Sequence, residues 1–125
     1  MEERRKFVRL DTRVDITCTV LPSGKVERTV TKDMSGGGIC IFTENVLPPG
    51  TRLQVAMKLP GSEQPVNFIA ETVWSEAYEM IGKTERRRAV ETGVRFLEIS
   101  PNDQDAVMQY VILNLQPQSG TATEC

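Results

Sequence analysis

The first regular pattern in the chain is a strict alternation of apolar and polar residues from position 13 to position 20. Alternation with a period of two places every second side chain on one face and predicts a half-buried β-strand. A Pro-Ser-Gly turn follows, and residues 25–32 predict a polar return strand, so we expect a hairpin. The inward face of its first strand carries Val14, Ile16, Cys18 and Val20.

Four further strands are predicted downstream of this hairpin. Residues 39–42 are apolar on both faces, which is typical of a central strand. Alternation then returns in three segments, which are residues 53–59, 66–74 and 90–96. Six antiparallel strands with local connections favour a closed barrel, so the predicted fold class is mainly β.

The fifth strand and the segment after it give two further expectations. Residues 66–74 predict the longest strand, and parity places Trp74 on the same apolar face as Val66 and Thr72. Residues 77–88 are charged and lack periodicity, which predicts a loop before the sixth strand.

A helix is predicted to follow the barrel. Ser100 suits an N-cap, Pro101 suits the first helical position, and Asp103 completes a capping box of the S-x-x-D kind. The helix body over residues 106–115 has two apolar stripes, one with Val107, Tyr110 and Val111 and the other with Met108, Ile112 and Leu115. We expect the first stripe to pack on the barrel. The second either widens the core face or contacts another subunit or protein, as in a homodimer formed through this helix.

These elements divide the chain into three parts. Residues 1–12 contain several basic side chains and little apolar content, and they predict a flexible N-terminal arm. Residues 13–115 form the barrel and the helix. Residues 116–125 are polar and predict a disordered tail.

Composition excludes several classes of protein. A length of 125 residues with 39% hydrophobic content fits one domain, and a net charge of −2 gives no overall attraction for DNA or RNA. The absence of histidine and the three widely spaced cysteines argue against a zinc site, a disulfide framework and a Cys/His nucleophile. No apolar run approaches the length of a membrane span, so we expect no membrane insertion and a cytoplasmic location.

Residues 33–38 read Asp-Met-Ser-Gly-Gly-Gly between two apolar runs, so the backbone must turn there. Glycines allow a ligand to approach bare N–H groups, and Asp33 and Ser35 add a carboxylate and a hydroxyl. With Gly38, this stretch has the spacing D-x-S-x-x-G, which chance predicts about 0.02 times in such a chain. The alternative is that Asp33 and Ser35 hydrogen-bond only within their own turn.

An R-x-x-x-R spacing occurs at Arg5 and Arg9 and again at Arg9 and Arg13, and it carries no weight by itself. Followed by D-x-S-x-x-G, however, the first pair resembles the PilZ domain family of bacterial receptors for cyclic di-guanosine monophosphate (cyclic di-GMP). The resemblance extends over about residues 4–114. It implies a six-stranded barrel followed by a helix, which the strand pattern predicts independently.

The resemblance also implies a ligand and its binding residues, which are Arg5, Arg9, Asp33, Ser35 and Gly38. Cyclic di-GMP is a ring with two phosphates and two guanines. An arginine fork can span a phosphate or bond to guanine O6 and N7, while a carboxylate can accept from the guanine N1–H and N2–H₂ groups. No other cofactor is implied.

Two more residues are candidates for the same site. Arg4 precedes the first motif arginine, and it predicts a stacked pair of ligand molecules on each chain, because four phosphate charges need more cations than two arginines supply. Trp74 is a candidate for stacking on a base, although its place on an apolar face favours a core position.

The predicted function is therefore a binding module that reports cyclic di-GMP to a partner protein through ordering of the arm. Nothing in the sequence supplies a nucleophile with its base or a metal cluster, so we expect no enzymatic activity. The alternative is a PilZ-like interaction module that binds no nucleotide. A barrel that binds single-stranded nucleic acid ranks last, because aromatic residues make up only 6% of the chain.

Overall fold

The computed structural model of the protein describes residues 9–82 and 86–115. Its elements in chain order are β1 (Leu10–Asp11), β2 (Asp15–Leu21), β3 (Lys25–Met34), β4 (Gly38–Thr43), β5 (Arg52–Met57), β6 (Val66–Ile81), β7 (Arg86–Ile99) and α1 (Pro101–Asn114). All the strand pairings are antiparallel.

Six of the strands close into a barrel, which confirms the predicted fold class. The sheet has the order β1-β3-β2-β5-β6-β7-β4, and an additional pairing of β3 with β4 joins its two ends. Closure gives each of these six strands a neighbouring strand on both sides within the barrel wall. The two-residue β1 is an addition to the prediction: among the described strands it pairs with β3 alone, and it attaches the end of the predicted arm beside Asp33.

The barrel interior is filled by the inward residues of each alternating pattern. Val14, Ile16 and Cys18 on the first predicted strand are all buried, as expected. Val107 and Val111 of α1 join the same core, so the first apolar stripe of the helix does pack on the barrel. The second stripe is divided, because Ile112 is exposed whereas Leu115 packs against the core.

The start of α1 follows the predicted capping, with one difference. The Ser100 hydroxyl accepts a hydrogen bond from the Asp103 N–H, as an N-cap should. The Asp103 carboxylate, however, accepts from the N–H of Asn67 in β6 at 3.3 Å. This contact attaches the first turn of the helix to the sheet.

The predicted loop over residues 77–88 is wrong. β6 continues to Ile81 and β7 already begins at Arg86, so the two strands form a long hairpin. At the tip of this hairpin, from Tyr78 onward on β6 and up to Ala89 on β7, no third described strand lies beside it, and most of the side chains described there are exposed. An alternating pattern arises only where one face is buried, and the sequence therefore shows no periodicity there.

The predicted inward position of Trp74 is also wrong. The register of β6 and β7 shifts between Thr72 and Trp74, so that Val73 is an extra residue on β6. A bulge of this kind reverses the side on which the following residues lie. Thr72 is accordingly buried, whereas Trp74 is 41% exposed.

Candidate functional site

One line of paired residues crosses four strands on the outer side of the barrel. In register, Asp33 of β3 pairs with Cys40 of β4, Cys40 with Gly93 of β7, and Gly93 with Trp74 of β6. Directly paired residues project from the same face of a sheet. The neighbours of Cys40 in β4, Ile39 and Ile41, belong to the core, so this line faces outward. We call these four residues the outer row.

Asp33, at one end of the outer row, is paired with Arg9. The Asp33 Oδ1 atom accepts from Arg9 Nη2 at 2.6 Å and from Arg9 Nε at 3.2 Å. The Arg9 side chain is 39% exposed and the Asp33 side chain 15% exposed. Residues 24 positions apart in the chain, one from each predicted motif, therefore meet at one place on the surface.

Ser35 lies behind this ion pair and bonds within its own turn. Its backbone N–H donates to the Gly38 carbonyl at 2.9 Å, and its hydroxyl accepts from the Gly37 N–H at 3.1 Å. The hydroxyl also lies 3.3 Å from the Gly38 carbonyl, to which it donates, and the residue is 3% exposed. For Ser35, these are the hydrogen bonds expected from the alternative interpretation of the motif, in which the side chain bonds within its own turn.

Two neighbouring elements fix the same turn from outside. The Gly36 carbonyl accepts from the Gln104 side chain of α1 at 3.2 Å, and the Gly37 carbonyl accepts from the Phe96 N–H of β7 at 3.1 Å. The turn is thus attached to both the helix and the sheet. Asp33 consequently projects from a well-supported backbone.

Gly38 is required by close packing of two strands. A Cβ atom at this position would lie 2.3 Å from the Val94 carbonyl oxygen and 3.0 Å from the Arg95 Cα atom. Both of these atoms belong to the backbone of β7, which cannot move aside like a flexible side chain. The glycine therefore allows β4 to approach β7 directly after the turn.

Trp74, at the other end of the outer row, lies against the backbone of Gly93. A Cβ atom on Gly93 would be 2.3 Å from the indole Nε1 atom and 2.5 Å from Cε2. The missing side chain thus makes room for the ring, which remains partly exposed to solvent. A partly exposed indole beside charged groups can stack on a planar ligand.

Cys40, in the middle of the outer row, has four charged side chains near it. Burial raises the pKa of its thiol to about 11, and Asp33 and Glu91 add to the rise, whereas Lys32 and Arg9 lower it. The thiol is therefore protonated at neutral pH, and it is a small, neutral group among these two basic and two acidic side chains.

Two of these charged residues, Lys32 and Glu91, were not singled out by the sequence. Lys32 Nζ lies 3.8 Å from Glu91 Oε1, and the Tyr78 hydroxyl donates to Glu91 Oε2 at 2.6 Å. That hydrogen bond raises the pKa of Tyr78. Each residue occupies an ordinary polar position in its own segment, so only the pairing of β3, β4 and β7 brings them together.

Of the other arginines near the N-terminus that the sequence analysis names, only Arg13 lies among the described residues. Arg13 is exposed, donates from Nη1 to the Lys32 carbonyl at 2.7 Å, and holds its guanidinium 5.7 Å from the centroid of the Phe42 ring. Arg4 and Arg5 lie outside the described residues, as do most of the predicted arm and all of the predicted tail.

Within residues 9–82 and 86–115, no cluster of potential metal ligands occurs and no helix is long and apolar enough to cross a membrane.

Comparison with known proteins gives a family match over most of the chain. The family model described as PilZ domain matches residues 3–113. No curated protein sequence matches the chain significantly.

Several solved structures share the fold. The PilZ domain of Escherichia coli YcgR with c-di-GMP is 22% identical, with a TM-score of 0.71 over 89% of this chain and 91% of that one. The Bacillus subtilis inhibitor of motility MotI/DgrA is 25% identical, with a TM-score of 0.67 over 90% of this chain and 51% of that one. The K. pneumonia MrkH complex with c-di-GMP is 16% identical, with a TM-score of 0.69 over 89% and 52%. The chain thus spans about half the length of the last two proteins.

Proposed function

The chain belongs to the PilZ domain family, and we propose that it is a receptor for cyclic di-GMP with no reaction of its own. The observation that carries this proposal is the ion pair between Arg9 and Asp33 at one end of the outer row. It joins the two sequence motifs on an open face of the barrel. The YcgR and MrkH structures that share the fold contain c-di-GMP, which supports the choice of ligand.

The chemistry of this ion pair suits a guanine nucleotide. The Arg9 guanidinium provides a fork of donors for a phosphate or for guanine O6 and N7. The Asp33 carboxylate accepts from the guanine N1–H and N2–H₂ donors. In the structure each group satisfies the other, so a ligand that offers an anion to Arg9 and donors to Asp33 can replace their contact without leaving either one unpaired.

The other motif residues divide between contact with the ligand and support of the site. Ser35 is buried and bonded within its turn, and Gly38 packs against β7, so we assign both to positioning Asp33. Arg4 and Arg5, which belong to the predicted arm, are proposed to bind phosphates of the ligand. Trp74, exposed at the other end of the outer row, is proposed to stack on a base.

We further propose that binding orders the arm over the outer row, that two ligand molecules bind per chain, and that the ordered arm is what a cytoplasmic partner protein recognises. Arg9 directly precedes β1, so a ligand held by Arg9 and Asp33 lies beside the point at which the arm joins the barrel. Amide exchange of residues 7–10 with and without nucleotide measures the ordering. Equal protection in the two states would contradict it.

Isothermal titration calorimetry of the full chain with cyclic di-GMP tests the main proposal. We expect saturable binding with a stoichiometry near two, which falls toward one in Arg4→Ala. A stoichiometry near one for the unmodified chain would exclude the stacked pair alone. No heat at tens of micromolar of folded protein would overturn the receptor function.

A second candidate function is the interaction module that binds no nucleotide, and one observation favours it. Ile112 and Leu113 of α1 are 59% and 75% exposed, which is high for large apolar side chains. A partner protein or a second copy of the chain would cover them. Analytical ultracentrifugation of the chain and of Leu113→Gln, with and without nucleotide, measures whether this helix forms a homodimer.

A further inference from the structure

We propose that Lys32 is an additional ligand-binding residue, which leaves Glu91 and binds a phosphate of the cyclic dinucleotide. This inference rests on the proposed function and names a cation of the same site that neither sequence motif contains.

Lys32 immediately precedes Asp33 and lies where the pairing of β3 with β4 is irregular, between Thr31 and Asp33. Its side chain extends across β4 as far as Glu91 on β7, since β4 separates β3 from β7 in the sheet. The side chain crosses the outward side of β4 near Cys40, and the charges of Lys32 and Arg9 both lower the pKa of the Cys40 thiol. The charge of Lys32 therefore lies close to the middle of the outer row.

The contact between Lys32 and Glu91 is the looser of the two that Glu91 makes. Lys32 Nζ is 3.8 Å from Glu91 Oε1, near the limit for an ion pair, whereas the Tyr78 hydroxyl is 2.6 Å from Oε2. The Lys32 side chain is 40% exposed and that of Glu91 only 19%. Lys32 can consequently move to a ligand while Glu91 keeps its hydrogen bond with Tyr78.

The charge balance of the site gives Lys32 a reason to move. Arg9 is paired with Asp33 and Lys32 with Glu91, so both cations are already matched by carboxylates. A ligand that brings two phosphates needs cations released from these pairs. Arg13 is less available, because it donates to the Lys32 carbonyl and lies near the Phe42 ring.

Calorimetry on three lysine variants tests the direct contribution. Lys32→Gln is expected to raise the Kd about 5- to 20-fold, as loss of a charge-assisted contact should, and Lys32→Arg should retain most of the affinity. The matched control is Lys25→Gln, which removes a lysine of the same strand that is paired with Glu44 at 2.8 Å. The control should change the Kd by less than about twofold.

Removal of the competing carboxylate tests the exchange. Glu91→Gln keeps a partner for the Tyr78 hydroxyl but frees Lys32, and it is expected to lower the Kd about 2- to 5-fold. The gain should disappear in the Lys32→Gln background, which is the mark of coupling between the two residues. Glu76→Gln is the control, because Glu76 stands opposite Glu91 in the register of β6 and β7 and is exposed.

The possible outcomes distinguish failure of the proposed function from failure of the role of Lys32. Absence of binding by the unmodified chain would overturn the proposed function itself. Binding by the unmodified chain with equal Kd values for Lys32→Gln and Lys25→Gln would overturn only the role of Lys32. If Lys32→Gln does not fold, as judged by circular dichroism, Glu91→Gln decides: an affinity equal to that of Glu76→Gln contradicts the exchange.

Discussion

The two ends of the turn that joins β3 to β4 are built in opposite ways. At the Asp33 end, an ion pair with Arg9 lies on the surface, and both of its side chains are partly exposed. At the Ser35–Gly38 end, the hydroxyl is buried and a single added carbon would strike the backbone of β7. One short motif thus contains a residue whose charged group is exposed and residues that hold the backbone beneath it in place. Substitutions at the two ends should therefore affect different measurements.

The largest expected effect is that of Arg9→Ala on ligand binding. Loss of a forked, charge-assisted contact should weaken binding by about 2–5 kcal/mol. The free energy of unfolding should change by less than about 1 kcal/mol, because the Arg9–Asp33 pair is partly exposed. Calorimetry and chemical denaturation measure the two quantities.

Arg13→Ala is the matched control for Arg9→Ala, since each variant removes the second arginine of an R-x-x-x-R pair. Arg13 is exposed and contacts Lys32 and Phe42, so its loss should weaken binding by less than about 1 kcal/mol. Equal losses for the two variants would show that the arginine pair was assigned incorrectly.

Gly38→Ala should have the opposite profile, with its main effect on stability. The new Cβ atom would meet the Val94 carbonyl oxygen at 2.3 Å, so β4 and β7 must separate and the free energy of unfolding should fall by about 2–3 kcal/mol. Gly24→Ala is the control: no atom lies within 4 Å of its added carbon, but its φ of +83° should cost about 1 kcal/mol. Urea denaturation of both variants gives the comparison, and a smaller loss at Gly38 than at Gly24 would contradict the close packing.

Ser35→Ala should have a smaller effect of the same kind. Removal of the hydroxyl leaves the Gly37 N–H without its acceptor, which should lower the free energy of unfolding by about 1 kcal/mol. Binding by the folded variant should fall much less than in Arg9→Ala. A loss of binding as large as that of Arg9→Ala, with unchanged stability, would mean that Ser35 contacts the ligand directly.

The smallest expected effect concerns the far end of the outer row. Gly93→Ala places a carbon 2.3 Å from the Trp74 Nε1 atom, and the indole can turn outward to avoid it at a cost of about 1 kcal/mol or less. Because Trp74 is the only tryptophan in the chain, its fluorescence should shift to longer wavelength as it becomes more exposed. An unchanged emission spectrum would show that the ring does not rest on Gly93.

Several features of the fold and the site follow from the sequence because their causes are local. The alternation that begins at residue 13 predicts a strand with Val14, Ile16 and Cys18 inside, and these residues are buried. The Ser-Pro pair at residues 100 and 101 predicts the start of α1, and Ser100 does cap it. The spacing of the two motifs leads to the family that the comparison of residues 3–113 confirms. Parity, capping and spacing each depend on residues only a few positions apart.

What the tertiary structure alone decided depends on strands that are distant in the sequence. The bulge at Val73 turns Trp74 outward, and the cross-strand register places Trp74 over Gly93. The meeting of Arg9 with Asp33 and of Lys32 with Glu91 requires the pairings of β1, β3, β4 and β7. A shift of one residue in any of these pairings would move the side chains to the other face, and single-strand patterns contain no information about that choice. The chain itself thus specifies which chemical groups are available, and the closure of the barrel decides which of them lie together on one face.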